Sequence, residues 1–309
     1  MSKKRVVIAS GDPAGCGPLI TLKAIEQLKN KDIDFFVTGD NKIFEQFPVY
    51  KRVKKRINFI DLNTPGIKKL KKGKPSISSG RAALSYLNEA LELVDSKDIR
   101  RLVTAPLSKE AVQLIYRQFS GHTEYLKNYF RVPQIEMMMV SAQLKIVLLT
   151  RHIDLSKVNS LLRPEEIKKT LSLVYSSLQG QFKLKKPNIA FASFNPHAGV
   201  DTFFGKEEKK IAFGIAKFRK KISGPYPSDT LFTKDSLNKY DCIVCVYHDQ
   251  AMIPFKLLAM REGVNLTLGL PIVRTSPAHG VAYDLTKQKK TPFHSSMFEA
   301  IKLALKLTP

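Results

Sequence analysis

The stretch CIVCVYHD at residues 242–249 is a short apolar run, rich in β-branched residues, that ends in polar ones. Short runs of this kind, bounded by Gly, Pro or polar residues, are typical of buried strands. The same pattern recurs in RVVIAS at 5–10, DFFVTG at 34–39, RLVTAP at 101–106, KIVLLTRH at 145–152, NIAFASFNPH at 188–197 and the longer NLTLGLPIVRTS at 265–276, which Pro271 interrupts. We therefore predict a strand in each of these stretches.

Stretches with helical spacing of apolar residues separate these runs. They lie at 19–28, 81–94, 164–178, 206–218 and 297–307. Strands that alternate with helices predict an α/β fold in which helices cover both faces of a mostly parallel sheet.

Three histidines close three of the predicted strands: His152, His197 and His248. Because the carboxyl ends of parallel strands meet at one edge of a sheet, we expect these side chains to lie together. Three neutral imidazoles can hold a borderline divalent cation and leave positions open for a substrate, with Asn195 and Asp249 as supporting partners. The alternative is that each histidine is a strand-end residue that hydrogen-bonds to the backbone, and the pattern alone leaves both interpretations open.

Two loops have the residue types of anion-binding sites. GDPAGCGP at 11–18 joins a predicted strand to a helix, so its amides could bind an anion, although its spacing is not that of the dinucleotide fingerprint. A structural turn is the alternative there. SGHTEYL at 120–126 places His122 and Thr123 at a helix N-terminus, which suits either a phosphate or a Ser/Thr cap.

Three polar residues near the C-terminal strands could bind an anionic substrate together: Lys256, Asn265 and Arg274. Arginine can form two parallel hydrogen bonds with a carboxylate or phosphate. Taken singly, each residue is typical of an exposed charge or a turn.

Composition excludes several classes of protein. The 309 residues are 43% apolar and 25% charged, as in a globular protein. Three cysteines exclude a disulfide scaffold, and Cys242 and Cys245 stand three apart on a predicted strand, so we expect both in the core. The sequence shows neither a signal peptide nor a membrane-spanning run, which indicates a cytoplasmic protein.

The charge is strongly basic, with 51 Lys+Arg against 27 Asp+Glu and a net charge of +24. Residues 51–74 concentrate these cations, with Asp61 as the single acid among them. A nucleic-acid-binding surface can look like this. Because no DNA- or RNA-binding motif accompanies the cluster, we interpret it as a solvated surface that could also steer anionic substrates.

Motifs in a fixed order along the chain carry a resemblance to a known family. They are GDPAGCGP, TAPLSKEAV, GHTEYL, RHIDL, NPHAG, GPYPSDTLF, YHDQAMIPFK and GVNLTLGLPIVRTS. Together they resemble the 4-hydroxythreonine-4-phosphate dehydrogenases, enzymes of pyridoxal phosphate (vitamin B6) synthesis. The resemblance implies an isocitrate/isopropylmalate-dehydrogenase-like fold, with two α/β subdomains around a mostly parallel sheet and an interdomain cleft. We expect the first subdomain at 1–115 plus 275–309, and the second at 116–274 with the metal histidines and dimer contacts.

The resemblance also implies roles for individual residues in a homodimer whose active site lies at the subunit interface. The family has three histidines that hold one divalent metal, and they match His152, His197 and His248. Zinc is the first choice for this metal, with cobalt or magnesium as alternatives. The HGVAYDL segment at 279–285 implies that NAD or NADP contacts His279 and Asp284. The substrate positions of the family match His122, Thr123, Lys256, Asn265, Arg274 and Asp229.

The implied reaction is NAD(P)-dependent oxidation of 4-phosphooxy-L-threonine to 2-amino-3-oxo-4-phosphooxybutanoate, which decarboxylates to 3-amino-2-oxopropyl phosphate. No residue is assigned as the proton acceptor. The chain departs from the family pattern at Leu19, at 200–204, at Ala251 and at Ala278. These departures leave two alternatives: a paralogue that oxidises 4-phosphorylated threonate or erythronate, and an enzyme that has lost its activity. The basic residues at 51–74 give a third alternative from a different class, a nucleic-acid-binding protein.

Overall fold

The computed structural model describes residues 3–30, 32–199, 205–218, 221–288, 290 and 292–309. The chain divides into two compact units. Unit 1 comprises Met1–Pro133, Leu270–Leu307 and Pro309, and unit 2 comprises Gln134–Gly269 and Thr308. Segment 116–133, which we assigned to the second subdomain from the sequence, therefore lies in unit 1, as does Arg274.

The strands of the described residues are short. In chain order they are β1 Lys4–Ala9, β2 Ile33–Gly39, β3 Ile57–Asp61, β4 Arg101–Thr104, β5 Glu136–Val140, β6 Lys145–Leu148, β7 Ile189–Ala192, β8 Ile222–Tyr226, β9 Cys242–Cys245, β10 Val264–Leu268 and β11 Val273–Pro277.

The α-helices of the same residues range from single turns to a helix of 20 residues. They are α1 Gly17–Gln27, α2 Asn41–Phe44, α3 Pro48–Val53, α4 Ile77–Ser96, α5 Lys109–Gln113, α6 His122–Tyr129, α7 Val158–Leu161, α8 Pro164–Gly180, α9 Lys206–Ile215, α10 Ser228–Leu231, α11 Lys234–Lys239, α12 His248–Ala259, α13 Tyr283–Lys287 and α14 Ser295–Lys306. Short 3-10 turns occupy Lys54–Arg56, Ile67–Lys69, Leu155–Lys157, Pro196–Gly199 and Ala216–Phe218.

Unit 1 contains a parallel sheet with strand order β3-β2-β1-β4-β11. The central strand β1 is lined by Val6, Val7 and Ile8, which have no exposed surface. The longest helix, α4, begins with a reciprocal capping box between Ser76 and Ser79, which satisfies amides that the first turn would leave without partners.

Unit 2 contains a mixed sheet with strand order β10-β5-β6-β9-β7-β8. The pairs β10–β5 and β5–β6 are antiparallel, whereas β6, β9, β7 and β8 are parallel. Helices α8 and α9 pack closely, since a Cβ atom on Gly214 would lie 2.7 Å from the Ile167 side chain. The two units confirm the prediction of an α/β fold with mostly parallel strands.

The predicted long strand at 265–276 forms two strands. β10 ends at Leu268 and β11 begins at Val273, with Gly269 between them at φ +89°. A residue in the left-handed region ends a strand, and Pro271 cannot donate to a ladder. β10 belongs to unit 2 and β11 to unit 1.

The prediction that both cysteines of β9 lie in the core is confirmed. Cys242 and Cys245 are free, buried residues of β9, as expected for packing residues. Met138 and Met139 are buried in β5. Among the described residues, no helix combines the length and apolar character that crossing a bilayer requires.

Candidate functional site

The three histidines predicted as metal ligands follow neighbouring strands of unit 2. β6 and β7 both pair in parallel with β9, with Leu148 opposite Cys245 and Phe191 opposite Val244. The carboxyl ends of the three strands therefore lie along one edge of the sheet, as the strand pattern predicted.

The structure brings His152 and His248 side by side. Their ring centroids lie 5.3 Å apart, with an angle of 43° between the ring planes. His248 begins α12, and its Nδ1 atom lies 2.7 Å from Oδ1 of Asp249. Because that contact occupies Nδ1, Nε2 is the ring nitrogen that remains for a metal ion.

His197 lies in the 3-10 turn Pro196–Gly199, in a left-handed backbone conformation that residues other than glycine rarely adopt. Its φ and ψ angles are 53° and 21°, and Ala198 follows at 55° and 28°. Left-handed conformations cost non-glycine residues about 1–3 kcal/mol each, so neighbouring contacts must hold this turn in place.

Glu208 holds the two residues that immediately precede this turn. This buried carboxylate on α9 accepts hydrogen bonds from the amides of Phe194 and Asn195 at 3.1 and 2.7 Å. It also accepts one from Nδ2 of Asn195 at 3.0 Å. Glu208 was not predicted from the sequence, although an acidic residue in the first turn of a helix is a recognisable signal.

A borderline divalent cation suits the chemistry of these imidazoles. Within the part of the chain that the structure describes, no three His, Cys, Asp or Glu side chains are grouped closely enough to hold a metal ion. The adjacent rings of His152 and His248 could supply two ligands, and the three-histidine metal site as a whole stays a prediction.

In unit 1, the guanidinium of a buried arginine reaches the carboxyl end of β4. Arg274 on β11 is 1% exposed, and its Nη2 donates to Oγ1 of Thr104, the last residue of β4, at 2.6 Å. Burial lowers the pKa of Arg274 to about 10, so the guanidinium still carries its charge at neutral pH. A buried guanidinium at this end of a sheet is suited to bind an anion.

His122 lies within the electrostatic field of that cation. It is the first residue of α6, whose N-cap is Gly121 rather than a serine or threonine. Burial, and then the charge of Arg274, hold the pKa of His122 well below its usual 6.5. The imidazole is therefore neutral at physiological pH, and half-buried Thr123 adds a hydroxyl in the same turn.

We expect His122 to make the folded protein sensitive to acid. Below pH 6.5 the unfolded chain binds a proton at this residue that the folded chain does not. The free energy of unfolding should therefore fall as the pH drops through this window, by at most about 1.4 kcal/mol per pH unit. His122→Gln should flatten this dependence in urea unfolding at about pH 7.5 and 5.5, whereas Thr123→Ala should keep it. Equal losses in wild type and His122→Gln would contradict the assignment.

The predicted substrate residues of unit 2 differ in their surroundings. Lys256 is half-buried on α12, and burial lowers its pKa. Asn265 on β10 donates from Nδ2 to the sulfur of Met137 at 3.2 Å, and its buried Oδ1 has no hydrogen-bond partner among the described residues. A ligand donor could satisfy that oxygen. Asp229 is exposed in the first turn of α10.

The loop at 11–18 folds around a buried carboxylate. Oδ1 of Asp12 accepts from the amide of Ala14 at 2.8 Å, and Oδ2 accepts from the hydroxyl of Tyr283. Burial raises the pKa of Asp12, despite these hydrogen bonds. A Cβ atom on Gly15 would lie 2.7 Å from the carbonyl oxygen of Val281, so only glycine allows this approach.

The predicted cofactor residues lie in the segment that packs on this loop. Nδ1 of His279 is 2.9 Å from the carbonyl of Gly280, and Asp284 lies in the first turn of α13. The amide of Cys16 donates to the carbonyl of Val281 at 2.9 Å, which fixes the segment to the loop.

The positions that depart from the family pattern lie in different surroundings. Ala251 is buried in α12, and the amide of Ala278 donates to Oγ of Ser296 at 3.0 Å. Leu19 is half-buried in α1. The loop at 200–204 lies outside the described residues.

Comparison with known protein families gives a match over nearly the whole chain. The family described as Pyridoxal phosphate biosynthetic protein PdxA matches residues 10–304. The chain belongs to the PdxA family. The resemblance found in the sequence motifs is thereby confirmed.

Two relatives of this PdxA family member have the name 4-hydroxythreonine-4-phosphate dehydrogenase. The protein of Desulforapulum autotrophicum is 36% identical, over 96% of this chain and 93% of its own. That of Aquifex aeolicus is 37% identical, over 95% of each chain. A third relative, from Oceanobacillus iheyensis, is provisionally named a D-threonate 4-phosphate dehydrogenase and is 36% identical, over 100% of this chain and 99% of its own.

Solved structures agree with the assignment to the PdxA family. The 4-hydroxythreonine-4-phosphate dehydrogenase of Klebsiella pneumoniae superposes with a TM-score of 0.84 at 31% identity, covering 99% of this chain and 98% of the other. A terephthalate 1,2-cis-dihydrodiol dehydrogenase of Burkholderia xenovorans shares the fold, with a TM-score of 0.67 at 22% identity over 98% of both chains.

Proposed function

We propose that this PdxA family member is a cytoplasmic, metal- and NAD(P)-dependent dehydrogenase of 4-phosphooxy-L-threonine. It forms 2-amino-3-oxo-4-phosphooxybutanoate, which loses carbon dioxide to give 3-amino-2-oxopropyl phosphate for pyridoxal phosphate synthesis. The observation that carries this proposal is the family match over residues 10–304.

The proposed reaction has two steps, an oxidation and a decarboxylation. The hydrogen on C3 leaves as a hydride to the nicotinamide and the hydroxyl proton leaves to a base, so the alcohol becomes a ketone. The bond between C2 and the carboxylate then breaks, and its electron pair moves toward the ketone as carbon dioxide departs. Protonation at C2 completes the product.

His152, His197 and His248 would hold the metal in this proposal. A bound divalent ion, zinc first with cobalt or magnesium as alternatives, supplies Lewis-acid stabilisation of negative charge on the C3 oxygen. The adjacent rings of His152 and His248 support this assignment, as does the Asp249 carboxylate that orients His248.

The substrate residues supply charge and hydrogen bonds. In unit 1, the buried guanidinium of Arg274 binds an anionic group, while His122 and Thr123 hydrogen-bond to the phosphate. In unit 2, Lys256 contributes a second cation, Asn265 an amide and Asp229 a carboxylate. These residues bind and orient the substrate.

His279 and Asp284 are the proposed contacts to NAD or NADP. The support is structural: their segment is fixed to the loop at 11–18 by the Cys16 amide and by the contact between Tyr283 and Asp12. Loops at the carboxyl ends of parallel strands are where α/β enzymes bind such cofactors.

We further propose a homodimer whose active site lies at the subunit interface, with α12 contributing to the contact. One face of this helix exposes apolar side chains at helical spacing: Ile253 at 62%, Leu257 at 82% and the adjoining Met260 at 67%. An apolar stripe of this kind is typical of an interaction surface. The same helix carries His248 and Lys256.

Leu257→Asp should therefore weaken or abolish the dimer, because it places a charge in the middle of the stripe. The mass in solution, measured by light scattering or sedimentation, should fall toward that of one chain. Leu114→Asp is the matched control, since Leu114 is 54% exposed in unit 1. An unchanged dimer in Leu257→Asp would remove α12 from the proposed interface.

The proposed function is tested by NADH production from 4-phosphooxy-L-threonine with the protein as purified, after chelation, and with zinc, cobalt or magnesium restored. Turnover that disappears with the chelator and returns with metal is the expected result. A folded, metal-loaded dimer without turnover would overturn the proposal.

Oxidation of D-threonate 4-phosphate is the second candidate, because the Oceanobacillus iheyensis relative covers this whole chain at 36% identity. That substrate has a hydroxyl where 4-phosphooxy-L-threonine has an amino group. We expect a higher kcat/KM for the amino acid. An equal or higher value for the sugar acid would favour the second candidate.

A further inference from the structure

A buried carboxamide lies on α12, the helix of unit 2 that begins with His248. Gln250 on α12 is 9% exposed. Its Oε1 accepts from the amide of Val246 at 2.7 Å. Its Nε2 donates to the carbonyl oxygen of Ser193 at 2.7 Å and to Oγ of Ser228 at 2.7 Å. Both amide hydrogens of this side chain are therefore used.

Each of these three partners is close in sequence to a residue proposed above for metal or substrate binding. Val246 follows β9, Ser193 follows β7 and Ser228 begins α10. The corresponding site residues are His248 after Val246, His197 after Ser193 and Asp229 after Ser228.

The end of β6 is joined to the same network through Thr150. Its Oγ1 donates to the carbonyl oxygen of Val246 at 2.6 Å, and its amide donates to the same oxygen at 3.1 Å. His152 follows Thr150 by two positions. One hydrogen-bond network thus connects the four segments that carry His152, His197, His248 and Asp229.

We infer that Gln250 is a positioning residue that fixes the segments carrying His197, His248 and Asp229 relative to one another. The inference rests on the proposed function for the identity of the ligands, but the hydrogen bonds stand without it. A glutamate here would keep the size and an acceptor, but it could not donate to the Ser193 carbonyl when ionised. Oxygen would then face oxygen in a buried place, where an unmade hydrogen bond is costly.

Another glutamine of unit 2 provides a matched control. Nε2 of Gln134 donates to Oε1 of Glu136 at 2.9 Å, and Glu136 also accepts from Thr170 at 2.8 Å. Gln134→Glu likewise replaces a partly buried amide donor with an oxygen that faces an acceptor, here the carboxylate of Glu136. The change lies just before β5, outside the four segments described above.

The experiment compares wild type, Gln250→Glu, Ser228→Ala and Gln134→Glu as full-length proteins. The cobalt affinity of the metal-free proteins is measured by competition with a chromophoric chelator. The kcat and KM of the metal-loaded proteins are measured with 4-phosphooxy-L-threonine. Hydrogen exchange of the metal-free proteins is followed in 193–199, 228–231 and 246–249. For Gln250→Glu we expect a loss of cobalt affinity of about 10–100-fold and faster exchange in these segments. Gln134→Glu should keep wild-type values for both.

Ser228→Ala keeps the inference testable if Gln250→Glu does not fold, because it removes one acceptor and leaves Gln250 in place. For Ser228→Ala we expect a smaller loss of cobalt affinity and a smaller increase in hydrogen exchange than for Gln250→Glu. Wild-type cobalt affinity together with wild-type exchange in the folded variants would overturn the inference. If the wild-type protein neither binds cobalt nor turns over substrate, the proposed function fails, and hydrogen exchange alone then decides whether Gln250 positions these segments.

Discussion

His248→Ala is expected to remove the bound metal and to lower kcat/KM by about three orders of magnitude or more. Lewis-acid stabilisation of charge on the substrate oxygen contributes several kcal/mol, and about 4 kcal/mol corresponds to a thousandfold change in rate. His248 is the proposed ligand with the most structural support, because its ring lies beside that of His152 and its Nδ1 contacts Asp249.

Metal per chain, measured by elemental analysis after dialysis, should fall in parallel with turnover. His294→Ala is the control, because Nε2 of His294 contacts Gln27 in unit 1 at 3.0 Å and is remote in sequence from every proposed ligand. Full metal content in His248→Ala, with the fold unchanged, would remove His248 from the ligand set. Full activity without metal would instead refute a catalytic metal.

Arg274→Met is expected to separate stability from function. The side chain is 1% exposed, and its lowered pKa shows that burial penalises the charge. Burying an ionised group costs free energy, and an apolar residue of similar volume removes that cost. Hydrogen bonds from a charged group contribute about 1.5–3 kcal/mol each, so losing two to the substrate should lower kcat/KM by roughly 10²–10⁴. We therefore expect a folded, equally or more stable protein with little activity.

Urea unfolding and steady-state kinetics on one preparation test this expectation. Arg101→Met is the control, because Arg101 is a partly buried arginine of unit 1 whose Nε donates to the Ala304 carbonyl at 3.0 Å. Arg101→Met should keep the wild-type kcat/KM. An Arg274→Met protein that unfolds would show that the charge is needed for the fold. One with wild-type kinetics would exclude Arg274 from substrate binding.

The strands and helices with strong local patterns could be predicted from the sequence. Each apolar run gives a strand, and the helical stretches give α1, α4, α8, α9 and α14. These elements are buried on regular faces, so the period of apolar residues identifies them. The same pattern placed three histidines after strands that prove to be neighbours and parallel.

Elements without such a pattern were missed. β3 has no fully buried residue, and β5 consists largely of methionine, which lacks β-branching. β8 contains Gly224 and Pro225, which count against a strand, but it is the last strand in the order of unit 2, where proline is tolerated. α12 continues through Pro254, which ordinarily ends a helix.

The supporting residues of the site could not be predicted for a different reason. Gln250, Glu208 and Tyr283 act through partners that are distant in sequence, such as the contact of Tyr283 with Asp12. Local periodicity contains no information about such pairs. Histidines after strands are visible in the sequence because topology alone brings strand ends together, whereas a hydrogen-bond network depends on how side chains pack.

The basic residues at 51–74 flank the edge strand of the sheet in unit 1. β3 is the outermost strand in the order β3-β2-β1-β4-β11, and the cationic turn Lys54–Arg56 immediately precedes it. An outer strand has backbone groups that could pair with another chain, and lysines beside such a strand oppose that pairing. Two copies meeting at this edge would bring like charges together. We therefore expect these cations to oppose aggregation through this edge strand, and to do so less at high salt.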